Sequence, residues 1–232
     1  MNWNKHFSSA SEVKWPINDA PVEAVIKVMA YWLRDNYKDG LKFLDIGCGG
    51  GATLEWLTRK GIIAHGVDVS EEAIRIAKKR LVSCSNRLSV ANATNLPFEN
   101  SYFNGIIESC AFQHLNKEDR SKAFIEVNRV LKSGGVFVGY CLTTNDDIFL
   151  INKDMQLQND PGTVILSSGP QGHLQNIGLT HFFNEKEIGR FLHNFNVECL
   201  SVVYQVPKFE ALRRGMKESY SNKFYVILGI KK

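Results

Sequence analysis

Residues 43–61, FLDIGCGGGATLEWLTRKG, run from an apolar stretch into a burst of glycines and out into helical spacing. Phe43, Leu44 and Ile46 are strand-type residues, and residues 47–51 are glycine at every position but one. Glycine at the end of a strand lets the backbone turn sharply and approach a ligand with no side chain in the way. Gly47, Gly49 and Ala52 satisfy the spacing G-x-G-x-x-[GA] of a nucleotide-binding turn, in which a helix N-terminus faces the ligand. Asp45 puts a carboxylate at the lip of that turn, two places before its first glycine.

Working outward, periods of 2 and about 3.6 alternate. Residues 41–46 read as a strand, 51–60 as a helix, 62–67 as a strand, and 70–81 as a helix capped by Ser70, with Glu71 and Glu72 suited to its positive end. Residues 88–91 and 102–109 follow as strands, and 117–131 as a helix. Ser133-Gly134-Gly135 is expected to stop that helix and start a strand over 136–142. Upstream, Val22, Val25, Ile26, Met29, Trp32 and Leu33 mark an amphipathic helix over 19–37, with Asp19 as its cap and Pro21 in its first turn. Strands alternating with helices predict βαβ units, hence a doubly wound α/β domain with a mostly parallel sheet and helices on both faces.

The rhythm breaks over 143–181, which lacks clear periodicity and reads as a lid-like insertion or a loop. After it come a helix over 184–194 capped by Asn184, and strands over 196–206 and 223–230, expected to form an antiparallel pair. A single domain is expected over 1–232: an N-terminal lid and helix (1–40), a cofactor-binding core (41–142), the insertion (143–183), and a C-terminal helix and strands (184–232).

Composition narrows the partners. Lys and Arg exceed Asp and Glu by 28 to 24, a net charge of +4 that is too mild to demand nucleic acid. Basic residues do cluster at 75–80, where helical spacing suggests a solvated face, and at Arg213, Arg214 and Lys217. No apolar run approaches the roughly 20 residues of a membrane span. The opening MNWNKHFSSASEVKWP is too polar for a secretory core, so a cytoplasmic protein is expected. Five scattered cysteines without a C-x-x-C pair suggest reduced, mostly buried thiols and neither disulfides nor zinc. Nothing in the pattern specifies an oligomeric state.

The glycine turn alone fits NAD, but Asp45 would then oppose a pyrophosphate, like charge against like charge in a partly desolvated crevice. S-adenosylmethionine carries an ammonium and a sulfonium instead, which a carboxylate attracts. Asp68, ending the next strand in GVDVS, stands where an acid accepts both ribose hydroxyls. That feature indicates an adenosine ligand of either kind.

The ordered stretches LDIGCGGG, GVDVS, NATNLPFENSYFNGI and RVLKSGGVFV resemble the class I S-adenosylmethionine-dependent methyltransferases over residues 41–142. The resemblance implies a Rossmann-like, seven-stranded sheet with an antiparallel last strand. It also implies S-adenosylmethionine as cofactor, held by Asp45, Gly47, Cys48, Gly49, Asp68, Val69, Asn92, Ala93, Thr94 and Ser109. Two positions depart from the family's usual Asp, namely Asn92 and Asn104. The Asn92 carboxamide oxygen is still able to accept from an adenine amino group, without the charge-assisted component. Asn104 is expected to matter for local packing.

The methyl acceptor is expected above Glu108, Ser109 and Cys110, beneath lids that the resemblance assigns to 2–16 and 145–181. Trp3, His6, Phe7 and Trp15 lend the first lid aromatic surface. His114 is the leading catalytic base, against a purely structural role in the strand–helix turn, and Glu108 is a second base or a holder of the methionine end. His6, His173 and His181 fall on lid segments. His65 and His193 are assigned to structure, and Tyr140 to strand packing. Asp146 and Asp147 are expected to be solvated, so metal use is not expected.

The leading reading is O-methylation of a small metabolite or sugar-linked precursor. The opening segment is similar to methyltransferases associated with cell-surface polysaccharide assembly. RNA or protein methylation, with Arg213, Arg214 and Lys217 as the docking patch, and a non-catalytic cofactor-binding relative are the alternatives.

Overall fold

The computed structural model describes residues 3–10, 20–167, 174 and 177–232. The expected helix cap Asp19 and the first lid's Trp15 therefore lie outside the described residues, as does His173. The chain begins with two helices, α1 (Trp3–Ala10) and α2 (Glu23–Asn36). Next come β1 (Lys42–Ile46), α3 (Ala52–Arg59), β2 (Ile63–Asp68), α4 (Glu71–Arg80), β3 (Leu88–Val90), β4 (Phe103–Ser109), α5 (Lys117–Val130) and β5 (Leu131–Leu142). The remainder holds α6 (Asp147–Ile151), β6 (Thr163–Leu166), β7 (Gly178–His181), α7 (Glu185–Phe191), β8 (Phe195–Val206), α8 (Lys208–Arg213) and β9 (Tyr220–Lys231).

Seven strands form one sheet in the order β3-β2-β1-β4-β5-β9-β8. Pairs among the first five strands are parallel, whereas β9 runs antiparallel to both β5 and β8. The last strand is thus the one reversed strand, and the final two pair antiparallel as expected. Side chains alternate across the sheet with period 2, and both faces are covered. Phe43, Val136, Val138 and Tyr140 pack with Val25 and Met29 of α2, Leu54 of α3 and Ile74 of α4. Leu44, Ile46, Phe137 and Cys141 pack with Phe124 and Val127 of α5 and Ile188 of α7. Each such apolar side chain contributes about 1.5–3 kcal/mol relative to exposure. Gly105 lies opposite Phe43 in the ladder, and a methyl group there would sit 2.0 Å from the Phe43 ring.

Side-chain caps start four of the described helices, α6 at Asp146 among them. Ser70 Oγ accepts from Ala73 N, Asn116 Oδ1 from Asp119 N, and Asn184 Oδ1 from Glu187 N. The α2 helix starts at Glu23 without a side-chain cap. The expected role of Ser133-Gly134-Gly135 as the helix stop is corrected: α5 ends at Val130, Leu131 is already extended, and the glycines fall in a ladder irregularity between Leu131 and Val136.

The 143–181 stretch contains α6 and a two-stranded sheet, β6 with β7, in register Thr163↔His181 to Leu166↔Gly178. Strands of four residues are too short to register as a period, which is why this part reads as a loop. The expected solvation of the two adjacent acids is overturned for Asp146, whereas Asp147 is half-buried and paired. Asp146 is fully buried, its Oδ1 accepting from Ile148 N and its Oδ2 from Lys223 N at 2.7 Å, while Asp147 pairs with Lys223 Nζ at 2.8 Å. They fasten α6 to β9.

Candidate active site

The sheet reverses strand order between β1 and β4, the place where open α/β sheets bind ligands beyond the carboxyl ends of their strands. Asp68 ends β2, Asp45 and Glu108 stand one residue before the ends of the neighbouring β1 and β4, and all three are buried. The glycine turn is tied to β2 because Gly47 N and Cys48 N both donate to the Val67 carbonyl. Gly47 has φ +73, and a Cβ on it would lie 2.4 Å from the Ala111 methyl group. The β1–α3 and β4–α5 turns therefore touch at this point, and only glycine allows the contact. Cys110 supplies the matching bend with φ +61, an uncommon conformation for a non-glycine residue, held by its N–H donating to the Tyr140 carbonyl at 2.8 Å.

Asp68 shapes the turn as well as facing it. Its Oδ2 accepts from Gly49 N at 3.0 Å and its Oδ1 from Ser70 N at 2.9 Å. Each oxygen retains a lone pair. Burial nevertheless raises its pKa. Asp45 is pushed up to about 8 by burial, and further by Asp68 and Glu108. Glu108 is pushed up to about 7 by burial, against the N–H groups of Phe112 and Ala111 that donate to its Oε1 at 2.9 and 2.6 Å. None of the three acids forms an ion pair among the described residues. A concentration of buried carboxylates without a cation is a poor phosphate site and a fitting one for a cationic ligand.

The neighbouring loop is tied in through Ala91 N, which donates to the Asp68 carbonyl at 3.0 Å. Asn92 Oδ1 accepts from both Thr94 N and Thr94 Oγ1 at 3.0 Å, so the carboxamide oxygen expected to meet adenine already closes its own turn. Ala93 and Thr94 are half-buried, and Val69 projects beside Asp68 with 54% of its surface exposed. Ser109 ends β4 opposite Tyr140, and the buried Cys48 side chain packs against Gly66. Asn104 Oδ1 accepts from Lys42 N at 3.0 Å, joining the starts of β4 and β1 in the local role expected for it.

The N-terminal helix covers the glycine turn. Asn4 Oδ1 accepts from Ser70 Oγ at 2.8 Å, and the Phe7 ring lies 3.5 Å from where a Cβ on Gly49 would stand. Rings then follow one another from Phe7 to His6 (5.5 Å between centroids), His6 to Trp3 (5.6 Å) and Trp3 to His114 (5.2 Å). His114 Nδ1 lies 3.2 Å from the Leu179 carbonyl of β7, and its Nε2 lies 3.3 Å from the amide nitrogen of buried Gln113. Burial lowers its pKa to about 4. Gln113 Oε1 accepts from Leu142 N, linking the histidine to the end of β5.

Sequence reasoning passed over Asn4 and Gln113, and placed Cys110 beneath the acceptor without foreseeing its positive φ. Their signal is tertiary, apart from the position of Gln113 next to His114. Of the other histidines, His65 sits amid Phe98, Tyr102 and Phe103 with a pKa lowered to about 4, first by burial, and His193 bonds the Arg190 carbonyl. His181 is fully buried between Thr163 Oγ1 at 2.7 Å and Glu187 Oε2 at 2.8 Å, so it is not an exposed lid histidine. Among the described residues, no helix is long and apolar enough to cross a membrane.

This doubly wound fold gathers a glycine turn and three buried acids at one crevice, the arrangement of a nucleoside-binding class. Residues 44–139 match the family model described as a methyltransferase domain. The chain is 35% identical over 117 residues to demethylmenaquinone methyltransferase of Staphylococcus saprophyticus, covering 47% of each protein. It is 31% identical over 150 residues to tRNA (carboxymethyluridine(34)-5-O)-methyltransferase of Arabidopsis thaliana, covering 64% of this chain and 33% of that protein. A solved S-adenosylmethionine-dependent methyltransferase from Methanosarcina mazei superposes with a TM-score of 0.66 at 23% identity, over 85% of this chain and 96% of that one. The family model, the named relatives and the shared fold together support a class I S-adenosylmethionine-dependent methyltransferase domain over the matched residues 44–139. The chain spans between about a third and a half of the length of the curated relatives it matches.

Proposed function

We propose that this chain transfers the methyl group of S-adenosylmethionine to an oxygen of a small-molecule acceptor, bound between α1, the β6–β7 hairpin and the β4–α5 turn. The observation that carries this reading is the environment of His114, where those three segments meet. A carbonyl oxygen only accepts, so the Leu179 contact puts the ring proton on Nδ1 and leaves the lone pair on Nε2. Gln113 offers that lone pair a long contact, one that an acceptor hydroxyl would displace. A base weakened by burial accepts a hydrogen bond and takes the proton late, as positive charge builds on the attacking oxygen.

When bound, S-adenosylmethionine supplies an already activated methyl group. Asp45 is the counter-charge for its ammonium, and Asp68 offers its remaining lone pairs to the ribose hydroxyls. Val69, Ala93 and Thr94 would flank the adenine, and Asn92 would act there by closing the turn that carries them. Gly47, Cys48 and Gly49 bring backbone close to the methionine end, beside Ser109. Glu108 acts chiefly by holding the turn at Ala111 and Phe112 that presents His114. The aromatic cover of Trp3, His6 and Phe7 excludes water from the reacting groups.

A second reading has its own observation. Tyr220 begins β9 four places before Phe224, the partner of Leu142, so the 207–219 connection lies beyond the carboxyl end of β5, on the side of the site. Arg213 and Lys217 are exposed there, which suits an RNA acceptor. Incubation with labelled methyl donor and separate pools of hydroxylated metabolites, RNA and protein decides between them. Label in the metabolite pool is the expected result, and label in RNA, with binding that weakens steeply in salt, would replace the first reading by the second.

A further inference from the structure

Glu126 and Arg129 lie on α5, yet both reach into the β3–β4 loop that carries Asn92, Ala93 and Thr94. All five N–H groups of the Arg129 guanidinium find acceptors. Its Nε donates to Glu126 Oε1 at 2.7 Å, and its Nη2 to Glu126 Oε2 at 2.7 Å and the Leu96 carbonyl at 2.9 Å. Its Nη1 donates to the Phe98 carbonyl at 2.6 Å and to Asn100 Oδ1 at 3.0 Å. Glu126 Oε2 also accepts from Leu96 N at 2.6 Å. The helix end completes the grip, since the Arg129 and Val130 carbonyls accept from Ser101 N and Tyr102 N.

An ordinary ion pair one helical turn apart holds nothing but itself. This one holds a loop. Residues 91–102 contain no helix or strand, so ordering them costs conformational entropy that local turns offset only in part. The bonds within the loop cover its first turn, around Asn92, and the γ-like contact of Phe98 N with the Leu96 carbonyl. Ala91 N ties the start of that turn to the Asp68 carbonyl, and its far side is related to the rest of the domain through Leu96, which is buried and bonded on both sides, through its N–H to Glu126 and through its carbonyl to Arg129. A planar fork is needed to serve Glu126, Leu96 and Phe98 together, and a lysine ammonium has neither the reach nor the number of donors.

We propose that Arg129 and Glu126 are positioning residues for the adenine end of the cofactor, holding Ala93 and Thr94 in place from outside the site. The inference rests on the reading of residues 92–94 as the adenine wall. Neither side chain touches the cofactor. The pair acts as a unit and leaves the methionine end, governed by Asp45, unaffected.

The test is titration calorimetry with S-adenosylmethionine and with 5′-methylthioadenosine, which lacks the amino acid end, on wild type, Arg129→Lys, Glu126→Gln, Asp45→Asn and Ala93→Trp. Circular dichroism checks that each variant is folded. Arg129→Lys is expected to weaken both compounds by the same factor, about tenfold for a lost set of charge-assisted bonds. Asp45→Asn should weaken S-adenosylmethionine alone. The double variant Arg129→Lys/Glu126→Gln should be no weaker than the poorer single one. Full affinity for 5′-methylthioadenosine in folded Arg129→Lys, with Ala93→Trp impaired, overturns the inference. Full affinity in Ala93→Trp overturns instead the adenine assignment on which it rests.

Discussion

The Nδ1 of His114 and the carbonyl oxygen of Leu179 stand 3.2 Å apart, joining the end of the fourth strand to a hairpin 65 residues further along the chain. That contact sets the tautomer of the histidine and makes the hairpin part of the site rather than an appendage. It also explains why a histidine with a strongly lowered pKa is useful, because its lone pair is available throughout the neutral range.

Replacing His114 by Ala should therefore slow turnover by about 10²–10⁴-fold, the ordinary contribution of a positioned base, with cofactor affinity little changed. Its pKa of about 4 lies below the unfolded value of 6.5, so the unfolded chain binds more protons between these values. The corresponding stability is present above pH 6.5 and is lost as pH falls through 4. Urea unfolding across pH 4–7 should show a shallower acid loss in His114→Gln, and an unchanged slope would show that the ring titrates normally.

Cofactor affinity should rise with pH up to about 8 and then level off. Asp45 is raised to about 8 in the unliganded chain, and the ammonium requires its charged form, so binding releases a proton. Calorimetry in buffers of different ionisation enthalpy reads that proton directly. In Asp45→Asn the release should vanish, and a release that persisted would move the linkage to Glu108.

Asp68→Ala should weaken cofactor binding by about 1–3 kcal/mol through lost hydrogen bonds. It should also lower thermal stability, since Gly49 N and Ser70 N lose their acceptor. Asp68→Asn separates the two effects, because one carboxamide oxygen can keep a single backbone bond. An unchanged dissociation constant in the alanine variant would show that the ribose lies elsewhere.

Arg120→Ala should cost roughly 3–5 kcal/mol of stability, the usual result of leaving a buried partner charge uncompensated. Arg120 is fully buried, with Nη2 2.6 Å from Asp160 Oδ1 and Nη1 2.8 Å from the Leu115 carbonyl. Asp160 in turn accepts from Thr163 Oγ1, whose oxygen contacts His181. The loss should be read by urea unfolding, and a change under about 1 kcal/mol would mean that water replaces the guanidinium.

The order of strands and helices through residues 41–142 was legible because both faces of the sheet are covered. Burial on two sides makes strands such as VFVGYCL run apolar throughout, between helices with a clear apolar stripe. The residues proposed for the cofactor stand out for a related reason: a glycine turn and acids near strand ends are local in sequence, and the structure brings Asp45, Gly47 and Asp68 to one crevice. The β6–β7 hairpin was not legible, and neither were the burial of Asp146 nor the helical end before Ser133, where packing outweighs local preference.

By itself the sequence determined the doubly wound core and the sign of charge its ligand must carry, since both follow from residue type at short range. Only the tertiary structure decided which distant groups meet at His114 and that Arg129 reaches back across 33 residues to Leu96. Hydrogen bonds between residues far apart in the chain depend on loop paths and on the closing of buried polar groups, which no short-range pattern encodes.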